Sequence, residues 1–82
     1  MIATTTKNGK TVRLEADYHL DIGSVYYYVV CGKVRFEFNH FGPAAKVYKT
    51  LSRRIESETF TVPCLMSLVS GARAMGYKVE EA

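Results

Sequence analysis

The side chains that could bind a metal ion lie mainly in one short segment of the chain. Asp17, His19 and Asp21 alternate along it, so an extended backbone would point all three in the same direction. Carboxylate and imidazole groups are common metal ligands, and this spacing would bring three of them together. Polar residues in a short connection are more often simply solvated, so we predict no metal site here.

The other residue that could transfer a proton is His40. It could act as a general acid or base if the fold placed it beside Asp17 or Glu37. A histidine between a strand and a helix more often bonds to the local backbone. The chain also has no glycine-rich phosphate loop, no Gly-x-Ser-x-Gly elbow, no His-Glu-x-x-His and no Cys-x-x-Cys motif. We therefore predict a protein that is not an enzyme and uses no cofactor.

The two cysteines, Cys31 and Cys64, are far apart in the sequence and match no metal-ligand spacing. In a reducing compartment they would remain thiols. Free cysteine commonly packs as a small apolar side chain. We expect both residues to be buried in this way and to take no part in chemistry.

The composition indicates one small globular domain that covers residues 1–82. Of the 82 residues, 48% are hydrophobic and 23% are charged, as in an average single domain. No apolar run approaches the roughly 18 residues that cross a membrane, and the N-terminal segment lacks the pattern of a signal peptide. We therefore expect a cytoplasmic protein without membrane contact. The net charge of +3 is too small to indicate nucleic-acid binding by itself.

The strongest structural pattern is a β-hairpin in residues 24–39. Apolar, aromatic and β-branched residues flank Gly32 and Lys33, a pair typical of a two-residue type II′ turn. This turn would pair Cys31 with Val34 and so fix which side chains share a face. The face directed at the core would carry Val25, Tyr27, Val29, Cys31, Val34, Phe36 and Phe38, and the other face Tyr26, Tyr28, Val30, Arg35, Glu37 and Asn39.

A weaker hairpin is predicted ahead of it, in residues 2–7 and 10–16. Asn8 and Gly9, which separate the two segments, are the strongest short signal for a type I′ turn. One face of this hairpin is largely threonine and charge, and lysines flank its turn. We therefore expect it to form the edge of the sheet.

Residues 17–23 connect the two hairpins. Gly23 supports a turn or bulge at the end of this segment. Leu20 and Ile22 are its large apolar residues, and we expect them to cover one end of the core.

Two helices are predicted after the hairpins, each opening on a proline, a residue that suits the first helical position. The first covers residues 43–57, where apolar residues recur every three or four positions. The second covers residues 63–75, with Thr61 or Val62 at its cap, and residues 77–82 form either a short strand or a frayed end. The predicted fold class is α+β: a four-stranded antiparallel sheet of two consecutive hairpins followed by two helices, one packed across one sheet face.

The tyrosine-bearing face of this sheet is the predicted partner-binding surface. Tyr26, Tyr28, Arg13 and Arg35 would lie there, and tyrosine and arginine are the usual anchors of protein contacts. The charges on this face balance, since Arg13 and Arg35 oppose two glutamates. In the alternative arrangement the second helix covers this face, and both tyrosines become core residues.

Nucleic-acid binding is the alternative function. Lys46, Lys49 and Arg53 would share the outer side of the first helix, with Arg54 at its flank. These cations lie on the opposite side of the domain from the tyrosines, which argues against one continuous surface for bases and phosphates. An ordinary solvated helix face would have the same composition.

The absence of catalytic motifs and the small size favour a binding protein that engages a larger protein or complex and blocks or bridges it. A short intracellular chain of this kind would suit a phage or mobile-element inhibitor of a host machine. Homodimerisation through the tyrosine face or an exposed edge strand is compatible with either function.

Overall fold

The computed structural model describes all residues, 1–82, and confirms the α+β class. Five antiparallel strands follow one another across one sheet in sequence order, so that β1 lies at one edge and β5 at the other. Both helices lie between β4 and β5 in the sequence. The elements are β1 (Ala3–Lys7), β2 (Lys10–His19), β3 (Ser24–Cys31), β4 (Val34–Phe38), α1 (Phe41–Glu56), α2 (Val62–Ala74) and β5 (Lys78–Glu81).

Both predicted hairpin turns are present, with the predicted registers. Cys31 pairs with Val34 across a turn in which Gly32 has a φ of 60°. In the first hairpin, Asn8 and Gly9 have φ values of 52° and 76°, as a type I′ turn requires. The alternation of side chains in β2, β3 and β4 is therefore the predicted one.

The sheet has a fifth strand where four were predicted. β5 pairs with β4, and Val79 lies opposite Phe36 on the inner face. Gly76, with a φ of 88°, allows the chain to turn back after α2. The Arg73 guanidinium also donates to the Val79 carbonyl at 3.0 Å. β5 contains only four residues, three of them charged, so periodicity alone could not separate a strand from a frayed end.

Both helices pack on the same face of the sheet, so the domain has two layers and not three. α1 begins at Phe41, earlier than the predicted Pro43, and α2 is capped by Thr61, whose hydroxyl accepts from the Cys64 N–H at 3.2 Å. α1 packs its apolar stripe across the sheet as predicted, and α2 packs beside it with its apolar side also in the core. The core consists of Val12, Leu14, Val29, Cys31, Val34, Phe36, Phe38, Ala44, Leu51, Ile55, Leu65, Val69, Ala72 and Val79.

A polar contact attaches α1 to the edge strand. The Thr5 hydroxyl lies 2.7 Å from both the Tyr48 hydroxyl and the hydroxyl of Ser52, which is buried. Ser52 also donates to the Glu56 carboxylate at 3.1 Å. Because these buried or partly buried hydroxyls are hydrogen-bonded, the cost of taking Thr5 out of water on the inner face of β1 is offset.

β2 and β3 extend past the ends of β1 and β4 and form a projecting hairpin arm, defined here as residues 17–26. Its last pair is His19 with Ser24, and the turn between them is exposed. Leu20 and Ile22 are 85% and 56% exposed. The prediction that they cover one end of the core is therefore wrong, because the longer strands carry them beyond α1.

Neither helix has the length and apolarity needed to cross a membrane.

Candidate functional site

The side of the sheet away from the helices, called the open face below, brings the predicted partner-binding residues together. Since both helices pack on the other side, the alternative in which α2 covers the tyrosines does not occur. Cross-strand pairing places Arg13, Val30 and Arg35 in one row across β2, β3 and β4. The next row consists of Glu15, Tyr28 and Glu37, and Asp17 and Tyr26 form the row after it.

Tyr28 lies at the centre of the open face and is only 7% exposed. Glu15 and Glu37 stand directly opposite it on the flanking strands. The guanidinium carbon of Arg35 lies 4.1 Å from the centre of its ring, a distance typical of a cation–π contact. Tyr28 is therefore shielded by neighbouring side chains and does not belong to the main core. The strand alternation alone did not require this burial.

The Tyr28 hydroxyl belongs to a small polar cluster at the base of the arm. It lies 3.4 Å from Nε2 of His19, and Oδ2 of Asp17 lies 3.6 Å from the same nitrogen. The ring of Tyr26 packs edge-on against His19 with centroids 4.7 Å apart. A catalytic relay needs the carboxylate and the hydroxyl on opposite nitrogens of the imidazole. Both contacts here use one nitrogen, so the cluster orients side chains and lacks the geometry of a relay.

A shallow depression of about 460 Å³ lies beside Tyr28 on the open face. Arg13 and Arg35 stand on either side of Val30, which is half-buried, and both arginines are exposed. Arg13 has a long ion-pair contact with Glu15, at 3.8 Å. The lining residues are Arg13, Glu15, Ala16, Asp17, Tyr28, Val30 and Arg35. This surface offers one apolar position between two cations, with carboxylates at its margin.

The residues considered for metal binding or catalysis do not converge. Asp17 and His19 are neighbours, and Asp21 lies in the exposed turn of the arm. The structure contains no group of three or more histidine, cysteine, aspartate or glutamate side chains that could hold a metal ion. His40 is the N-cap residue of α1 and makes no side-chain cap bond. Its side chain forms no hydrogen bond or ion pair with Asp17 or Glu37.

The two cysteines are free thiols in different surroundings. Cys31 is buried in the core, whereas Cys64 is partly exposed at the start of α2. Burial, and secondly the negative charge that Cys64 can carry, raise the pKa of the Cys31 thiol. The Cys64 thiol donates to the Thr61 carbonyl at 3.0 Å and so takes part in the helix cap. Cys31 is thus buried as predicted. The prediction that Cys64 is also buried is wrong, because its thiol lies at the partly exposed start of α2 and takes part in the helix cap.

The predicted nucleic-acid residues are all exposed on the helical side of the molecule. Lys46, Lys49 and Arg53 form no ion pair, and Arg54 makes one long contact, 3.5 Å to the Thr59 carbonyl. They lie on the opposite side of the domain from the open face. No side chain could belong to both surfaces, as expected from the sequence.

Sequence reasoning did not find the groove between α1 and α2. It has a volume of about 440 Å³, and Lys46 and Met75 stand at its borders. Small residues on α2, including Gly71 and Ser67, keep it open. Its apolar walls and floor are formed by Phe38, Pro43, Val47, Leu68, Ala72 and Tyr77. The run of small residues on α2 is the one signal in the sequence that could have indicated this groove.

A scan against family models and searches of the curated proteins and of the solved structures found no match. Function is therefore inferred from the geometry of this chain alone.

Proposed function

We propose that this chain is a small non-enzymatic binding protein that engages a larger protein through the open face and blocks or bridges it. The observation that carries the proposal is the row of Arg13, Val30 and Arg35 across three adjacent strands. It places an apolar contact between two exposed guanidinium groups. Arginine is among the residues that contribute most to protein interfaces, because it combines charge, directional hydrogen bonds and a long apolar stem.

The open face is also held in place before any partner arrives. β2, β3 and β4 are interior strands of the sheet, and Arg35 rests on the ring of Tyr28. A side chain that is already ordered loses less conformational freedom on binding. This pre-organisation supports recognition by a flat, stable surface.

The chemistry of the depression indicates the kind of partner. A partner segment with an apolar side chain over Val30 could direct carboxylates at Arg13 and Arg35, while Glu15 and Asp17 at the margin would repel a uniformly acidic surface. The chain would act by occupying a site on this partner. Inhibition of a host machine by a phage or mobile-element protein is one such role.

Site-specific photo-crosslinking in the native host tests this proposal. A photoreactive residue replaces Thr4, which pairs with Arg13 on the open face, or Ser70, which is exposed on α2 as a matched control. We expect one larger protein adduct from position 4 and none from position 70. The adduct should disappear when Arg13→Ala and Arg35→Ala are added. Equal adducts from both positions, or an adduct that is indifferent to the arginines, would contradict the proposal.

Nucleic-acid binding remains the second candidate because Lys46, Lys49 and Arg53 are exposed cations without an acidic partner. Such groups can neutralise phosphates without first breaking an ion pair within the protein. The open face would then have no role in binding.

A further inference from the structure

Four of the nine exposed large apolar side chains of the molecule lie on the hairpin arm. Tyr18 and Val25 form a cross-strand pair on it, and Leu20 and Ile22 lie in its turn. All four side chains are exposed, and Phe41, at the start of α1, is exposed near the base of the arm. Clustered apolar side chains of this kind generally mark an interaction surface.

The apolar side of the arm is the side on which the helices pack. Tyr18 and Val25 continue the inner face of the sheet, because alternation places them with Leu14, Val29 and Tyr27. Tyr27 packs edge-on against Phe41, with ring centroids 5.6 Å apart, where the helical layer begins. Beyond that point the inner face has no helix over it. The molecule is therefore stepped: the arm is lower than the helical surface by about one helix diameter, roughly 10 Å.

The helical layer offers a groove of suitable chemistry. The groove between α1 and α2 has apolar walls and continues past Thr50, Ser67 and Leu68 into a smaller depression of about 240 Å³ beside Arg54. α1 has 16 residues and is about 24 Å long. The three paired positions of the arm and its turn span about 15 Å, which fits within that length.

We propose that a second copy of this chain occupies both surfaces, in a two-fold dimer in which the arm of each copy lies in the α1–α2 groove of the other. A two-fold axis near Phe41 would place the helical layer of one copy over the lower, apolar side of the partner's arm. The same operation places the partner's helices over the first arm. Such a contact closes on itself, so it gives a dimer and not a filament.

The charges of the two surfaces are complementary. The arm contains no lysine or arginine, and Asp21 lies at its tip, whereas Asp17 belongs to the open face. The groove is bordered by Lys46 and Arg54 on α1. Like charges would thus be kept apart and opposite charges brought together in the reciprocal arrangement. The open face would point outward in both copies, so the dimer would present two of these faces.

Sedimentation velocity across a concentration series tests the dimer. We expect the unmodified protein to sediment as a dimer at high concentration. Leu20→Ser with Ile22→Ser should abolish the dimer, and because both residues are exposed in the single chain it should leave the melting temperature unchanged at concentrations where the unmodified protein is monomeric. Ile2→Ser is the matched control, since Ile2 is an exposed apolar residue outside the arm, and it should leave the dimer intact.

The groove is tested separately at Gly71, where an added Cβ would meet no atom within 4 Å. Gly71→Phe should fill the groove and abolish the dimer, whereas Gly71→Ala should retain it. A monomer at every concentration, or a dimer that survives both the arm variant and Gly71→Phe, would overturn the proposal.

A charge exchange identifies the contact itself. Asp21→Lys in one preparation, and Lys46→Glu with Arg54→Glu in another, should each be monomeric, because each self-pairing brings like charges together. A mixture of the two preparations should form a dimer, since both of its contacts then join opposite charges. Failure of the mixture to associate, when the unmodified protein does, would show that the arm does not lie in the groove.

Discussion

The guanidinium carbon of Arg35 lies 4.1 Å from the ring centre of Tyr28, on a sheet face that no helix covers. Each residue restrains the other: Arg35 shields the ring from water, and the ring holds the cation in one place. Tyr28 is therefore held in a fixed position although it lies on the outer surface of the sheet. Arg35 remains exposed and available to a partner.

Replacement of Tyr28 should therefore affect stability. Tyr28→Ala removes a shielded ring and should lower the free energy of unfolding by about 2 kcal/mol. Tyr28→Phe should cost less than about 1 kcal/mol, because the hydroxyl contact with His19 is long, at 3.4 Å. Urea denaturation measures both values. Tyr26→Ala, at a more exposed position, is the control and should cost less than Tyr28→Ala. Equal losses for the two Tyr28 variants would show that the hydroxyl, and not the ring, provides the stability.

The fifth strand should be essential for stability because Val79 completes the core opposite Phe36. Val79→Asp would bury a carboxylate without a partner and should cost at least about 3 kcal/mol. Glu80→Ala changes the next residue of the same strand, which faces outward and contacts Lys78 at 3.4 Å. It should cost no more than about 0.5 kcal/mol. Thermal unfolding compares the two variants, and similar melting temperatures would argue against a strand at this edge.

The two thiols should differ in reactivity. An alkylating reagent should modify Cys64 in the folded protein, whereas Cys31 should react only when the chain unfolds, since burial excludes the reagent and raises the pKa of its thiol. Peptide mass spectrometry after timed alkylation distinguishes the sites. Fast modification of Cys31 under native conditions would contradict its position in the core.

The raised pKa of Cys31 also predicts a pH dependence of stability. Between the pKa of the thiol in the unfolded chain and its higher pKa in the folded protein, the unfolded state releases a proton that the folded state keeps. The contribution of Cys31 to the free energy of unfolding should therefore be fully present below the pKa of the thiol in the unfolded chain. It should be lost as the pH rises through this window. Cys31→Ala should be less stable at neutral pH and should lose this part of the alkaline decline. An unchanged decline would assign it to other groups.

Salt dependence tests the alternative function of α1. If Lys46, Lys49 and Arg53 each neutralise a phosphate of a single strand, the slope of log K against log salt should be about −2. Changing all three to alanine should bring the slope close to zero. Lys33→Ala, in the turn between β3 and β4, is the control and should leave it unchanged. A flat salt response of the unmodified protein, or no mobility shift at low salt, would discard nucleic-acid binding.

Local turn chemistry explains why much of the sheet could be predicted from the sequence. Asn8 and Gly9 specify one turn and Gly32 the other, because few residues adopt positive φ readily. Once the turns are known, alternation sorts the side chains of β2, β3 and β4 between the two faces. The outward position of Tyr26, Tyr28 and Arg35 follows from this.

What the sequence could not provide depends on contacts between distant residues. The burial of Tyr28 results from side chains on both neighbouring strands, and β5 is stabilised by its pairing with β4. The exposure of Leu20 and Ile22 depends on how far β2 and β3 extend beyond α1. The groove beside Gly71 exists only because two helices lie side by side on the sheet. The pattern of hydrophobic residues along the chain does not show which distant residues come into contact.

β4 pairs with β5 although both helices lie between these strands in the sequence. During synthesis on the ribosome, this pairing can therefore form only at a late stage. The backbone edge of β4 has no partner until residues 78–81 have emerged, even when the first four strands have already formed. An unpaired edge of this kind can accept a strand from another nascent chain. Translational pausing within the helices would prolong this interval and increase the need for chaperones, whereas rapid completion of the last strand would close it.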